Sequence, residues 1–348
     1  MAIYNFFAVS DKPITLAVLQ KMKKPTVIRF LMWGLLVASQ CICLVSKAQQ
    51  DAQFTMWQFY KQALNPAFNG MDRNHSLTAT HRDQWDGLDR DPKTYNINYN
   101  GIFGPKSNIG GGLNVMTEVL GQQQNTSFSL SPTYHFGMNN GSFFAVGVSL
   151  GFYSSKIGGN WIYIDEGDEI VNSLRNTGRT TSAFDAGLGM AYYKPGKFYV
   201  GLSSLHLNNP VLADVNIQMV RHYYLTGGVE LPLGSGLSLR PNVIAKSDGK
   251  STQFDVNTDV LWNNMIWGGV AYRYTDAICP YVGFQTNFSP IVGKLNMVNS
   301  GLRMGYSYDV TTSDLSQYSS GSHEVFLNYF LSFSAIPIKA KHSNPRFL

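Results

Sequence analysis

The chain has 348 residues, of which 44% are apolar and 13% aromatic but only 14% charged. Soluble domains carry about 25% charged residues, so the composition argues against a soluble cytosolic enzyme and suits strands that turn one side to lipid. The net charge of +5 resides at the start: six of the 27 basic residues and one of the 22 acidic ones fall in 1–48, leaving 21 of each beyond, which removes the case for a nucleic-acid-binding body.

Lys23, Lys24 and Arg29 precede a mainly apolar run from Phe30 to Val45, and Ser46-Lys47-Ala48 places small residues where a signal peptidase reads. The expectation is a signal peptide over 1–48, with Met22 as a candidate true start. The apolar run is short for a spanning helix, which needs about 20 residues. Cys41 and Cys43 would leave with the leader, so Cys279 alone would remain and no intrachain disulfide is expected. Residues 49–74 carry Phe54, Trp57, Phe59 and Tyr60 without strand alternation, and are assigned as an N-terminal periplasmic or plug segment.

From residue 75 the pattern has period two, the signature of strands. In 95–100, Tyr95, Ile97 and Tyr99 alternate with Asn96, Asn98 and Asn100. Phe128, Leu130, Tyr134 and Phe136 alternate with Ser127, Ser129, Ser131, Thr133 and His135. Phe254, Val256 and Val260 oppose Gln253, Asp255, Asn257 and Asp259. Fourteen such segments begin near 75, 94, 107, 125, 142, 181, 197, 221, 236, 251, 265, 278, 301 and 322. Several even-numbered joins are short (Gly104-Pro105-Lys106, Lys194-Pro195-Gly196, Pro232 to Ser235, Trp262-Asn263-Asn264), whereas many odd ones are long. The fold expected is all-β: a transmembrane antiparallel up-and-down β-barrel of about 14 strands over 75–334, with short periplasmic turns, long outer loops and a C-terminal periplasmic tail over 335–348. Tyr95, Trp262, Trp267 and Tyr274 are candidates for the interfacial aromatic girdles.

The chemistry-bearing motifs are weak. Ser322, His323 and Glu324 are adjacent on a strand and point alternately to opposite faces, so they cannot relay a proton among themselves. Asp165 to Glu169 lacks the spacing of a calcium loop, and Gly110-Gly111-Gly112 is not followed by a helix. No metal, cofactor or catalytic set is expected. Arg82, Asp185, Glu230, Arg240, Asp255, Asp259, Arg273, Arg303 and Asp309 fall on the inward face, where they read as an internal ion-pair network.

The segment beyond the leader is the most distinctive. Gln50-Asp51-Ala52-Gln53-Phe54 is followed by Asn65-Pro66-Ala67-Phe68-Asn69-Gly70, then Arg82-Asp83-Gln84-Trp85-Asp86-Gly87 and Asp91-Pro92-Lys93-Thr94. This resembles the PorP/SprF family of type IX secretion membrane proteins, with Ala52 and Asp83 departing from its usual residues. Further matches are the 199–207 strand, Trp267-Gly268-Gly269, Gly305 to Asp309, Gly321-Ser322-His323-Glu324 and Pro345-Arg346-Phe347. The resemblance implies a non-enzymatic outer-membrane component of the type IX secretion and gliding machinery that assists export or surface attachment of a large secreted partner such as an adhesin. Its partners would be other secretion components and outer-membrane lipid. The rival expectations are a channel for small hydrophobic substrates, like the fatty-acid transporters, and an outer-membrane hydrolase using His323.

Overall fold

The computed structural model describes residues 51–103, 108–158, 178–213, 217–288 and 297–333. The leader over 1–48, Gln50, the turn at 104–106, the acidic run Asp165–Glu169, most of the 290–300 join and the tail over 335–348 lie outside them.

The described residues form a closed antiparallel barrel of fourteen strands. These are β1 (His75–Asp83), β2 (Lys93–Phe103), β3 (Ile109–Leu120), β4 (Gln123–Gly137), β5 (Phe143–Ile157), β6 (Arg179–Lys194) and β7 (Phe198–Leu205). They continue with β8 (His222–Val229, prolonged by Leu231–Gly234), β9 (Leu237–Ser247), β10 (Thr252–Trp262), β11 (Ile266–Arg273), β12 (Ala277–Phe288), β13 (Met297–Thr311) and β14 (Ser322–Phe333). Neighbours in sequence are neighbours in the wall, and β14 closes on β1 from His75↔Leu331 to Asp83↔His323. Closure satisfies every ladder, which hydrocarbon demands because it offers no hydrogen bonds to a free edge. All fourteen strands begin within four residues of the sequence expectation.

The period-two pattern resolves into an apolar outside and a polar inside. Tyr95, Ile97, Leu130, Phe136 and Val256 are about half exposed, whereas Asn96, Asn98, Thr133, His135, Asp255, Asn257 and Asp259 are buried. A soluble sandwich would bury the first set. Here the belt of large apolar side chains faces outward, as lipid requires, and no described helix is long and apolar enough to span a bilayer. The protein is an outer-membrane barrel.

The turns follow local chemistry. Asn263 and Asn264 take φ of 49° and 54°, the left-handed pair that closes a tight hairpin after Trp262. The eighth join is shorter than expected: Leu231–Gly234 stays on the ladder, with a register shift between Pro232 and Gly234, and only Ser235-Gly236 turns. Proline is tolerated there because a bulge needs no amide donor at that point. A second correction concerns Trp267. It is 1% exposed, and strand parity puts it inside while Ile266 takes the lipid side. Tyr95, Trp262 and Tyr274 remain outward.

Since β1 starts at the end shared by β14's last residue, the even joins lie at that short-turn end and the odd joins at the opposite, long-loop end. Residues 51–74 run through the lumen between the two. They carry three 3-10 turns, Trp57–Phe59, Lys61–Ala63 and Pro66–Phe68. Met56, Trp57, Tyr60, Ala67 and Phe68 are almost wholly buried there.

Candidate functional site

The lumenal segment and the wall it touches form the most elaborate polar assembly among the described residues. Its lower half rests on a wall of small residues. Side chains at Gly110 and Gly112 of β3 would overlap Asn69, one at Gly147 of β5 would overlap Pro66, one at Gly189 of β6 would overlap Asn65, and one at Gly201 of β7 would overlap Phe68. Glycine at these five inward positions lets the segment approach the sheet backbone. Asn65 uses that proximity: its Nδ2 donates to the carbonyls of Met190 (3.2 Å) and Leu202 (3.3 Å), while its Oδ1 accepts from Ala67 N and caps the third turn. Pro66 occupies the first position of that turn, where its missing N–H costs nothing. Its carbonyl accepts from Thr133 Oγ1 at 2.6 Å and Asn69 Nδ2 at 2.9 Å. Gly70 has φ of 76° and packs on Gly101, so a side chain there would be strained as well as crowded.

The middle of the segment is aromatic. Phe59 lies between Trp267 (4.5 Å) and Phe326 (4.9 Å), with the Arg240 and Arg303 guanidiniums over its ring at 5.7 and 5.5 Å. Beside it, toward the short-turn end, a cavity of about 320 Å³ is lined by Lys61, Asp72, Glu230, Arg240, Asp259 and Arg303.

Toward the long-loop end, a charged clamp holds the segment. Glu324 accepts from the backbone amides of Thr55 (2.7 Å) and Met56 (2.9 Å) and from the Tyr60 hydroxyl (2.7 Å). Arg82 donates from Nη1 to Thr55 Oγ1 and Glu324 and from Nη2 to Asp309 at 2.7 Å. Arg273 donates to Thr55 Oγ1 and reaches Asp309, Asp276 and Asp255, and Lys246 pairs with Asp255 at 2.9 Å. Arg82, Arg273, Asp255, Asp309 and Glu324 are each at most 3% exposed. Burial and the Glu324 carboxylate raise the Tyr60 hydroxyl well above its ordinary 10, so it stays a donor.

The described segment begins at Asp51, beside the long-loop end of β7 and β8. Asp51 accepts from Tyr224 Oη at 2.6 Å and lies 3.1 Å from His206 Nε2, whose Nδ1 is 2.9 Å from Asp185. Burial alone would lower His206, but Asp51 and Asp185 outweigh it and raise the imidazole to about 10. The Asp51 carboxyl is correspondingly lowered: burial opposes this, and the His206 charge dominates. Above it the β7–β8 join carries a ribbon pairing Val211–Leu212 with Ile217–Gln218. Leu212 and Met219 pack against Tyr153 of the wall.

Of the residues singled out from sequence, Asp51, Phe54, Asn65, Pro66, Gly70, Arg82 and Glu324 all sit in this interface between segment and wall. Thr94 is buried on the inward face of β2. The remainder gather at the long-loop rim. Gln84 N donates to the Pro92 carbonyl, and Lys93 pairs with Asp83 and Asp91. Trp85 N donates to Ser322 Oγ, Asp86 N to the Gly321 carbonyl, and Gly87, at φ of 95°, packs on Ser320. The 84–92 and 312–321 joins are thus laced together. His323 faces outward, 2.7 Å from Tyr306 Oη, while Ser322 and Glu324 face inward, so the three do not converge.

The family model for type IX secretion system membrane protein PorP/SprF matches residues 46–329. The chain belongs to the PorP/SprF family. No curated protein matches. Among solved structures, a Pseudomonas aeruginosa FadL homologue aligns over 78% of this chain and 93% of its own, at 12% identity and a TM-score of 0.47. The CymD monoaromatic hydrocarbon channel aligns over 82% and 95%, at 9% identity and a TM-score of 0.46. The Ralstonia pickettii toluene transporter TbuX aligns over 78% and 93%, at 11% and 0.44. In this PorP/SprF chain, two parts of the site escape sequence reading. The glycines of four strands converge only in three dimensions, and Asp51 meets His206 across 155 positions. The one available signal for the first was the run of small inward residues Ala145, Gly147, Ser149 and Gly151 on β5.

Proposed function

We propose that this protein is a plugged, non-enzymatic barrel that works beside the type IX translocon and assists export or surface attachment of a partner secreted protein such as an adhesin. The observation that carries this reading is the lumenal segment over 51–74, which is tied to the wall by Asn65, Arg82 and Glu324 along its length. A lumen spent on holding that segment favours docking over conduction. The proposed chain layout is a removable leader over 1–48, the plug over 49–74, the barrel over 75–334 and a periplasmic tail over 335–348. The rim formed by Gln84, Trp85, Gly87, Lys93 and His323 with the 312–321 join is the proposed contact for the partner, since the other motif residues are turned inward.

Deleting the gene should abolish surface display of the partner while general outer-membrane transport continues; normal display in the deletion strain would overturn the reading. A channel for small hydrophobic substrates is the second reading, and it draws on the cavity beside the plug. That cavity is lined by Lys61, Asp72, Arg240, Asp259 and Arg303, a poor surface for apolar cargo. Substrate-dependent flux into liposomes would favour the channel.

A further inference from the structure

The junction of Asp51 with the β7–β8 wall has the composition and spacing of a transition-metal site. One ligand atom each from Asp51, His206 and His222 lies within 4.8 Å of the others. His206 Nε2 is 3.1 Å from Asp51 Oδ1, and His222 Nδ1 is 3.7 Å from Asp51 Oδ2. Donor atoms on a tetrahedral zinc, each about 2.0–2.1 Å from the metal, are roughly 3.3 Å apart. Side-chain shifts of about an ångström therefore close the set. Two imidazoles and one carboxylate are a donor set that zinc takes with water in the fourth position.

Two further features point the same way. His206 Nδ1 is 2.9 Å from Asp185, the carboxylate–imidazole pair that orients a ligand nitrogen and raises its basicity in metal sites. His222 is 94% buried, and its Nε2 has no hydrogen-bond partner among the described residues. A buried imidazole nitrogen without a partner is costly, and a cation held at Nε2 supplies one; the ring's other nitrogen already lies 3.1 Å from the Val220 carbonyl.

We propose that Asp51, His206 and His222 bind a divalent transition metal, zinc foremost, which latches the start of the lumenal segment to the barrel wall. The ligands come from both bodies that the latch would join: Asp51 from the segment, the two imidazoles from the ends of adjacent strands. Tyr224, donating to Asp51, holds the carboxylate in place. The site involves no residue of the proposed rim contact, so it stands or fails separately from the secretion reading.

The test is calorimetric titration of zinc chloride into the chelator-treated, detergent-purified full-length protein. The expected result is one zinc per chain. Asp51→Asn and His222→Ala should each weaken binding at least tenfold, while His323→Ala leaves it unchanged. Cobalt in place of zinc should give the intense visible bands of a tetrahedral centre in the wild type and lose them in His222→Ala. Heat-shifted gel mobility verifies that each variant is a folded barrel. No zinc uptake by the folded wild type, or uptake unaltered in a folded His206→Ala/His222→Ala double variant, would overturn the proposal.

Discussion

Arg82 is the residue whose loss the lumen should tolerate least. It is 1% exposed and serves Thr55, Asp309 and Glu324 at once. Removing it takes the nearest cation from two buried carboxylates, leaving Asp309 to Arg273 at 3.5 Å and Glu324 to its three uncharged donors; a buried pair broken on one side costs about 3–5 kcal/mol. Arg82→Ala should therefore lower the urea midpoint of the folded barrel markedly. Arg82→Lys should rescue it poorly, because an ammonium cannot reproduce the fork that bridges both acids. Urea titration in lipid vesicles decides between these and a silent substitution. The Asp51–His206 pair makes a different prediction, set by pH. The folded state raises His206 from 6.5 to about 10, so its contribution is complete below 6.5 and fades as pH climbs toward 10. Asp51 is lowered from 3.8, so its contribution is complete above that value and fades in stronger acid. Asp185, His222, Tyr224, Tyr153 and Glu118 share this corner. In chelator-treated protein, protease protection of the segment's start should thus be greatest between about pH 4 and 6.5 and weaker at pH 10; protection that rises through this range would be inconsistent with the pair.

At the level of elements, the course of the lumenal segment is specified as much by the strands as by itself. β3, β5, β6 and β7 each present glycine to the lumen where Asn65, Pro66, Phe68 and Asn69 approach. A branched side chain at Gly201 meets Phe68 and Asn65, both of the lumenal segment. Gly201→Val should leave the barrel closed and resistant to detergent while making the 51–70 segment accessible to protease; unchanged protection would mean that the segment does not lean on that wall. The tryptophans report the same inside–outside division. Trp262 is 51% exposed on the lipid side and Trp267 1% exposed inside, although both belong to strand ends joined by one hairpin. In single-tryptophan variants, brominated lipid should quench Trp262 strongly and Trp267 weakly. Equal quenching would reverse the parity of β11.

For the whole molecule, the barrel was legible from sequence because a sheet between lipid and lumen imposes period two without interruption. Tyr95 to Asn100 already shows which face is which. Trp267 is not legible from aromatic type alone: it follows the outward Ile266, so parity turns it inward, where it meets Tyr281 and Phe326, both distant in sequence. The charged clamp was half legible, since the alternation placed Arg82, Asp255, Arg273 and Asp309 inside. Its purpose was hidden, because the partner is the backbone of Thr55 and Met56, which has no sequence signature. Asn65, Pro66, Arg82 and Glu324, which the family resemblance gathers as motif residues, each make a contact between the lumenal segment and the wall. The account therefore turns on whether 51–74 closes the lumen. Single-channel recording in planar bilayers tests this most directly, comparing the wild type with a variant lacking 51–70 that retains heat-shifted gel mobility. The wild type should be electrically silent and the deletion should pass steady current. A wild-type barrel that conducts as well as the deletion would contradict the account.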